Sequence, residues 1–186
     1  QRAIMNLDKE TGISIMKIIP ELDAGPVMKV VKTKILNESS YESLSLELSK
    51  IASKAIIESL ELIENKKEKF ISQDSAQATY AKKVDKSESK IEWNTNAKKV
   101  VAKINALYPS PGSWFEMNQM RIKVLKAIEV SKKGKPGEII DENFTIGCSN
   151  NSIQILKLKP EGKKSMKTSE FLLGNQLEIG KILNGI

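Results

Sequence analysis

Between Lys66 and Lys90 the chain runs through Lys- and Ser-rich sequence with few apolar side chains. So polar a stretch has little to bury, so the apolar patterning on either side must close two separate cores. The expected division is a first unit over 1–65, a linker over 66–90 and a second unit over 91–186. Within the linker, Gln73-Asp74 and Ala78-Thr79-Tyr80-Ala81 are too specific for a bare spacer and are expected to pack along a surface.

The first unit reads as strand, strand, helix. After a turn through 6–12, Ile13–Ile19 is a β-rich run, and Pro20 and Gly25-Pro26 then punctuate the chain. In Val27–Ile35, Val27, Lys29, Val31 and Ile35 alternate with Met28, Val30, Lys32 and Lys34, which predicts a second strand. Ser39 and Glu42 have capping-box spacing. Leu44, Leu48, Ile51, Ala55, Leu60 and Ile63 then recur at helical intervals, predicting a helix from about Tyr41 to Asn65.

The second unit reads as mainly β. Asn94 is placed to cap a helix over Thr95–Leu107, and Pro109 and Pro111-Gly112 end it. Five strand-like runs come next: Ser113–Met117 and Met120–Val130 around an Asn118-Gln119 turn, then Gly137–Ile140, Phe144–Ser149 and Ser152–Leu158. So many short strands in so little sequence suggest a small barrel, with an OB-like fold one candidate. A short helix near Ser169–Leu173 and a tail complete the chain.

Composition removes several chemistries. Histidine is absent, so the sequence itself contains no Ser-His or Cys-His nucleophile pair and no imidazole general base. The single cysteine, Cys148, has no internal partner; a small buried apolar role in a reducing, cytoplasmic compartment is expected. No apolar run reaches membrane-spanning length. Residues 1–90 carry 15 basic and 14 acidic side chains, and residues 91–186 carry 15 and 9. The basic second half suits a polyanion such as nucleic acid, or is a solvated lysine surface; charge alone leaves both open. The carboxylate best placed for chemistry is Asp23, in the loop between the two strands. It could accept a proton or orient an imidazole, or it could be an ordinary turn residue. Gly25 beside it would let backbone approach a ligand.

Resemblance adds to this. The run Gln1-Arg2-Ala3-Ile4, then Glu10-Thr11-Gly12-Ile13-Ser14-Ile15-Met16 and Leu22-Asp23-Ala24-Gly25, is succeeded in order by Gln73-Asp74, Ala78-Thr79-Tyr80-Ala81-Lys82-Lys83 and Lys90-Ile91-Glu92-Trp93. Ala106-Leu107-Tyr108-Pro109, Pro111-Gly112-Ser113-Trp114, Pro136-Gly137-Glu138-Ile139, Gly147-Cys148 and Pro160-Glu161-Gly162-Lys163-Lys164-Ser165-Met166 complete the series. In order and spacing, the series resembles the methionyl-tRNA formyltransferase family, from about a third of the way in to its C-terminus. The resemblance implies an α/β class: the end of a Rossmann-like catalytic domain, then a mainly β, OB-like tRNA-binding domain.

That family transfers a formyl group from 10-formyltetrahydrofolate to the amino group of methionine on initiator tRNA, as a cytoplasmic enzyme expected to be monomeric and to need no metal. The amine attacks the formyl carbon, and an Asn and a His hold the oxyanion. The family's catalytic Asp aligns with Asp23, while its Asn and His belong to a segment before Gln1. The sequence is therefore expected to be part of a longer protein and to be inactive alone. The pterin loop corresponds to Ile19, Pro20, Glu21 and Leu22. Ile19, Glu21 and Ala24 depart from the family's Asp, Gly and Thr, which leaves backbone groups to make the contact. The lysines expected to hold tRNA phosphates are Lys98, Lys123, Lys163 and Lys164. Asn105 stands where the family often has Arg, so no basic contact is expected there. Trp93 is expected to anchor the linker and Trp114 to pack in the barrel wall or stack on a base. A related formyltransferase acting on an amino sugar, or a non-catalytic RNA-binding remnant, are the alternatives.

Overall fold

The computed structural model describes residues 1–183. They form a mixed α/β structure of two compact units, one of Asp8–Lys82 and one of Gln1–Leu7 with the chain from Lys83 onward. A short helix α1 (Arg2–Met5) thus packs with the second unit, where Ile4 is buried.

In the first unit, β1 (Glu10–Met16) pairs antiparallel with β2 (Val27–Lys34), with Ile13 opposite Val31. β1 starts earlier and ends earlier than its apolar run suggests. Gly12 belongs to the ladder rather than to a turn: a Cβ there would lie 2.4 Å from the Val31 carbonyl oxygen. The side chains of β2 alternate as expected, with Lys29, Val31 and Thr33 half-buried and Val30, Lys32 and Lys34 exposed.

Helix α2 (Tyr41–Glu64) comes next. Its N-cap is Ser40, paired with Ser43 in a reciprocal box, not Ser39 with Glu42. The Ser39 hydroxyl is engaged one turn earlier, accepting from the Leu36 N–H at 3.0 Å. Leu44, Leu48, Ile51 and Ala55 turn inward, whereas Leu60 and Ile63 are exposed. Lys29 of β2 pairs with Glu58 of α2. Part of the stretch expected as linker joins this unit, because Val27 and Ile71 exchange backbone hydrogen bonds of 2.8 and 2.9 Å.

The second unit is built on α3 (Ala97–Leu107) and six strands. Asn96, not Asn94, caps α3, its Oδ1 accepting from the Lys98 N–H at 2.9 Å. Ala97, Val100, Ile104 and Leu107 fall on one buried face. The strands are β3 (Ser113–Met117), β4 (Met120–Val130), β5 (Ile139–Asp141), β6 (Thr145–Gly147), β7 (Ser152–Pro160) and β8 (Met166–Lys167). All pairings are antiparallel, in the order β3-β4-β7-β6-β5, with β8 also on β7. Among the described residues no ladder joins β3 to β5, so strand pairing does not close the sheet into the expected barrel.

Asn118 and Gln119 turn the β3–β4 hairpin with φ of 50° and 61°, the two left-handed positions of a tight turn matched to strand twist. Trp93, Phe115, Phe144 and Phe171 form a buried aromatic column with ring centres 5.5, 6.0 and 6.0 Å apart. Trp93 is therefore a core residue of this unit. Cys148 is buried nearby, and burial pushes its thiol up to about 12. Helix α4 (Thr168–Leu172) delivers Phe171 to the core. The expected tail runs beside β5 and the residues before it, with Ile139 N–H donating to Lys181 O at 2.9 Å and Leu183 N–H to Gly137 O at 2.8 Å; 184–186 lie outside the described residues.

Candidate functional site

Two surfaces, one in each unit, carry Asp23 with its loop and Lys123 among the expected site residues. The first is the loop from Lys17 to Pro26 between β1 and β2. Its base is closed by the Lys17 N–H donating to Pro26 O at 3.0 Å. Ile19 is half-buried, while Pro20, Glu21, Leu22 and Asp23 are exposed. Ile18 and Leu22 expose 90% and 91% of their surface, an unusual pair of bare apolar side chains on one short loop.

Asp23 sits at φ 54°, in the left-handed region that Asp tolerates better than most residues. Gly25 is buried and makes its close approach to the protein itself: a Cβ there would lie 1.7 Å from the Lys17 carbonyl oxygen. The glycine expected to admit a ligand instead seats the two limbs of the loop against each other. Across the loop comes Gln73. Its Nε2 donates to Asp23 O at 2.9 Å and to Gly25 O at 2.7 Å, and lies 4.0 Å from Met16 Sδ. The sequence marks Gln73 only as too specific for a spacer; its partners, 48 and 50 residues away, carry no local signal.

The second surface is the outer face of the six-stranded sheet. Trp114 on β3 lies opposite Lys123 on β4, and Lys123 lies opposite Lys159 on β7. Lys126, Lys157 and Lys167 form a second row across β4, β7 and β8. Arg121 stacks on Trp114 with its guanidinium carbon 3.9 Å from the ring centre, and the Lys90 ammonium is 5.7 Å from it. Trp114 is therefore half-buried on the outer face and is not part of the inner wall.

The four expected lysines do not converge on one spot. Lys123 is on this face, but its ammonium donates to Pro111 O at 2.9 Å and so also holds the turn before β3. Lys163 and Lys164 are exposed in the turn between β7 and β8. Lys98, also exposed, lies at the start of α3, where Ala97 N–H donates to Asn150 O beside the entry to β7. β7 runs between them, roughly 25–30 Å for nine residues. Arg121, Lys126, Lys157, Lys159 and Lys167 were not expected as a group. Alternation along β4 could have found Arg121. Alternation along β7 gives Lys157 and Lys159, whereas Lys126 comes opposite Lys157 only through a bulge between Val124 and Ala127 that shifts the pairing register, and Lys167 is placed by the β7–β8 pairing.

A family model of the formyl transferase C-terminal domain matches residues 83–176, and a formyl transferase model matches residues 1–60. The chain is 46% identical over 187 residues to a methionyl-tRNA formyltransferase of Pelagibacter ubique, covering 100% of this chain and 60% of the relative. It is 38% identical over 192 residues to a methionyl-tRNA formyltransferase of Dictyoglomus turgidum, covering 97% of this chain and 60% of the relative. HypX from Aquifex aeolicus, solved in complex with tetrahydrofolic acid, has a similar fold: TM-score 0.67, 21% identity, 92% of this chain and 31% of that one. The chain thus spans about 60% of the length of the curated relatives it matches. With the C-terminal-domain match alone taking in more than half of its residues, and a second match preceding it in order, the chain belongs to the formyl transferase family.

Proposed function

We propose that this chain is part of a methionyl-tRNA formyltransferase, a cytoplasmic monomer that moves a formyl group from 10-formyltetrahydrofolate to the amino group of methionyl initiator tRNA. The observation that carries the reading is the double row Trp114–Lys123–Lys159 and Lys126–Lys157–Lys167 on the sheet's outer face. A phosphodiester backbone rewards such a row of cations, each releasing a counterion; an amino-sugar nucleotide has too few phosphates to use it. Arg121 stacked on Trp114 leaves a guanidinium beside an aromatic ring, an arrangement suited to nucleotide contacts. Lys98, Lys163 and Lys164 extend the phosphate contacts to the two ends of β7. On this reading the sheet is an open, OB-like fold.

In the first unit, Asp23 is the catalytic carboxylate. Formyl transfer requires the attacking ammonium to lose protons and the departing folate nitrogen to gain one. An exposed carboxylate on a fixed turn can relay these protons through water and keep a neighbouring imidazole charged. The imidazole comes from elsewhere in the enzyme, because this sequence contains no histidine. The backbone of Ile19, Pro20, Glu21 and Leu22 seats the pterin. The bare side chains of Ile18 and Leu22 fit a flat ring that would cover them on binding.

The test is formyl transfer by the full-length protein, offered methionyl initiator tRNA and an amino-sugar nucleotide in parallel. Transfer to the tRNA is expected, and transfer to the sugar alone overturns the reading. Asp23→Asn should cost about two to four orders of magnitude in kcat with tRNA affinity retained.

A further inference from the structure

We infer that Gln73 is a positioning residue for formyl transfer: its side-chain amide fixes the turn that aims Asp23. The inference rests on the reading of Asp23 as the catalytic carboxylate. A Gln amide nitrogen has two N–H donors, and here both have an acceptor in the same turn, Asp23 O at 2.9 Å and Gly25 O at 2.7 Å. Those two carbonyls flank Ala24. Holding both fixes the peptide plane before Ala24 and the one after Gly25, and with the first the ψ angle of Asp23 and the direction in which its Cα–Cβ bond leaves the backbone.

The turn needs such a hold. Asp23 occupies a left-handed conformation that costs about a kcal/mol, and its side chain is exposed, so no packing fixes it from outside. On its other flank the returning limb rests on Lys17, through the close approach of Gly25 to the Lys17 carbonyl. Gln73 is itself well anchored. Two residues before it, Ile71 is bridged to Val27 at the start of β2. Immediately after it, Asp74 accepts from the Ala76 N–H and the Gln77 amide, both at 3.0 Å. A residue held on both sides of sequence thus reaches across to clamp a turn 50 residues earlier. Gln73 is exposed and outside any core, so its loss removes the clamp and little else.

The substitution Gln73→Glu keeps the length and shape of the side chain but sets carboxylate oxygens against two carbonyl oxygens. Gln73→Met keeps the length and removes the donors. In the full-length enzyme, kcat is expected to fall about ten- to hundredfold in both, with KM for the formyl donor and for methionyl-tRNA within about twofold. Amide hydrogen exchange should accelerate in 17–26 and stay unchanged in α2. Wild-type kcat in both variants overturns the inference. So does a loss in which α2 exchange and both KM values change together, because that marks a general folding defect. Asp23→Asn is measured alongside. An impaired Asp23→Asn with normal Gln73 variants sinks the positioning role alone, whereas a fully active Asp23→Asn sinks the reading of Asp23 and the inference with it.

Discussion

Arg2 and Glu88 form a two-pronged ion pair across 86 residues of sequence, Nη1 donating to Oε2 at 2.6 Å and Nη2 to Oε1 at 2.9 Å. Arg2 Nη2 also donates to Lys83 O at 3.0 Å, and Glu88 Oε1 accepts from the Asp85 N–H at 2.8 Å. Glu88 thereby serves the 3-10 turn Lys86–Ser89 and the N-terminal helix at once. This contact ties the opening residues to the unit that starts at Lys83.

The pair makes the second unit sensitive to acid. The Arg2 hydrogen bonds, and then the Asp85 N–H, pull the Glu88 carboxyl down to about 2 from its ordinary 4.5. A depressed carboxylate stabilises the fold above its unfolded value, and that contribution is lost as pH falls from about 4.5 toward 2. The Glu88 side chain is 36% exposed, so solvent screening leaves about 1 kcal/mol. Denaturant midpoints at pH 6 and pH 3 should therefore differ less in Glu88→Gln than in the wild type. An equal difference would show that other carboxylates carry the acid response.

The aromatic column predicts where the second unit is least tolerant. Phe144 is fully buried, edge-on to Phe115 and stacked on Phe171 at 6.0 Å with planes 8° apart. Phe144→Ala should cost about 3–5 kcal/mol, through lost transfer energy and the cavity left behind. Trp93 behaves differently at its indole nitrogen, which is buried without a partner. Trp93→Phe should therefore cost much less than Phe144→Ala, because it removes an unsatisfied donor along with the volume. Chemical denaturation of the two variants side by side decides this.

Gly25 predicts a local lesion. An added methyl at 1.7 Å from Lys17 O must push the loop limbs apart, taking Gly25 O out of reach of Gln73. Gly25→Ala is expected to destabilise the first unit by about 1–3 kcal/mol and to depress formyl transfer, while tRNA affinity is unchanged. A variant with wild-type activity would mean that the loop tolerates a spread of conformations.

How much of the fold and site was legible in the residues depended on whether the signal was local. The strands from Ser113 to Leu158 and helix α2 were readable because alternation and helical spacing are properties of neighbouring residues. The cap of α2 moved from Ser39 to Ser40 because two adjacent serines compete, and only the preceding turn, with its Leu36 N–H, settles which is free to cap. The seven opening residues have too little sequence to show that they pack with residues beyond Lys83. Asp23 could be named from its turn and its resemblance, but the amide that holds the turn could not, because a hydrogen bond spanning 50 residues has no period. The cationic rows were missed for a related reason: which lysines line up is set by strand register, and the bulge between Val124 and Ala127 alters that register.

The last prediction concerns how those cations add. Lys163 and Lys164 lie past the exit of β7 and Lys98 beside its entry, so roughly 25–30 Å of strand separates them. That exceeds the Debye length of about 8–10 Å near physiological salt, so the two ends should contribute independently. If an RNA backbone crosses the whole face, each lysine releases its own counterion. Lys163→Ala with Lys164→Ala should then flatten the slope of log K against log salt for initiator tRNA by about 1.4–1.8, and Lys98→Ala by about 0.7–0.9. The triple variant should show the sum. A double variant with an unchanged slope would remove the β7–β8 turn from the contact. A Lys98→Ala slope equal to wild type would mean that the RNA does not reach the entry of β7, and a Lys98→Ala effect that vanishes in the triple variant would mean that the two ends act together rather than independently.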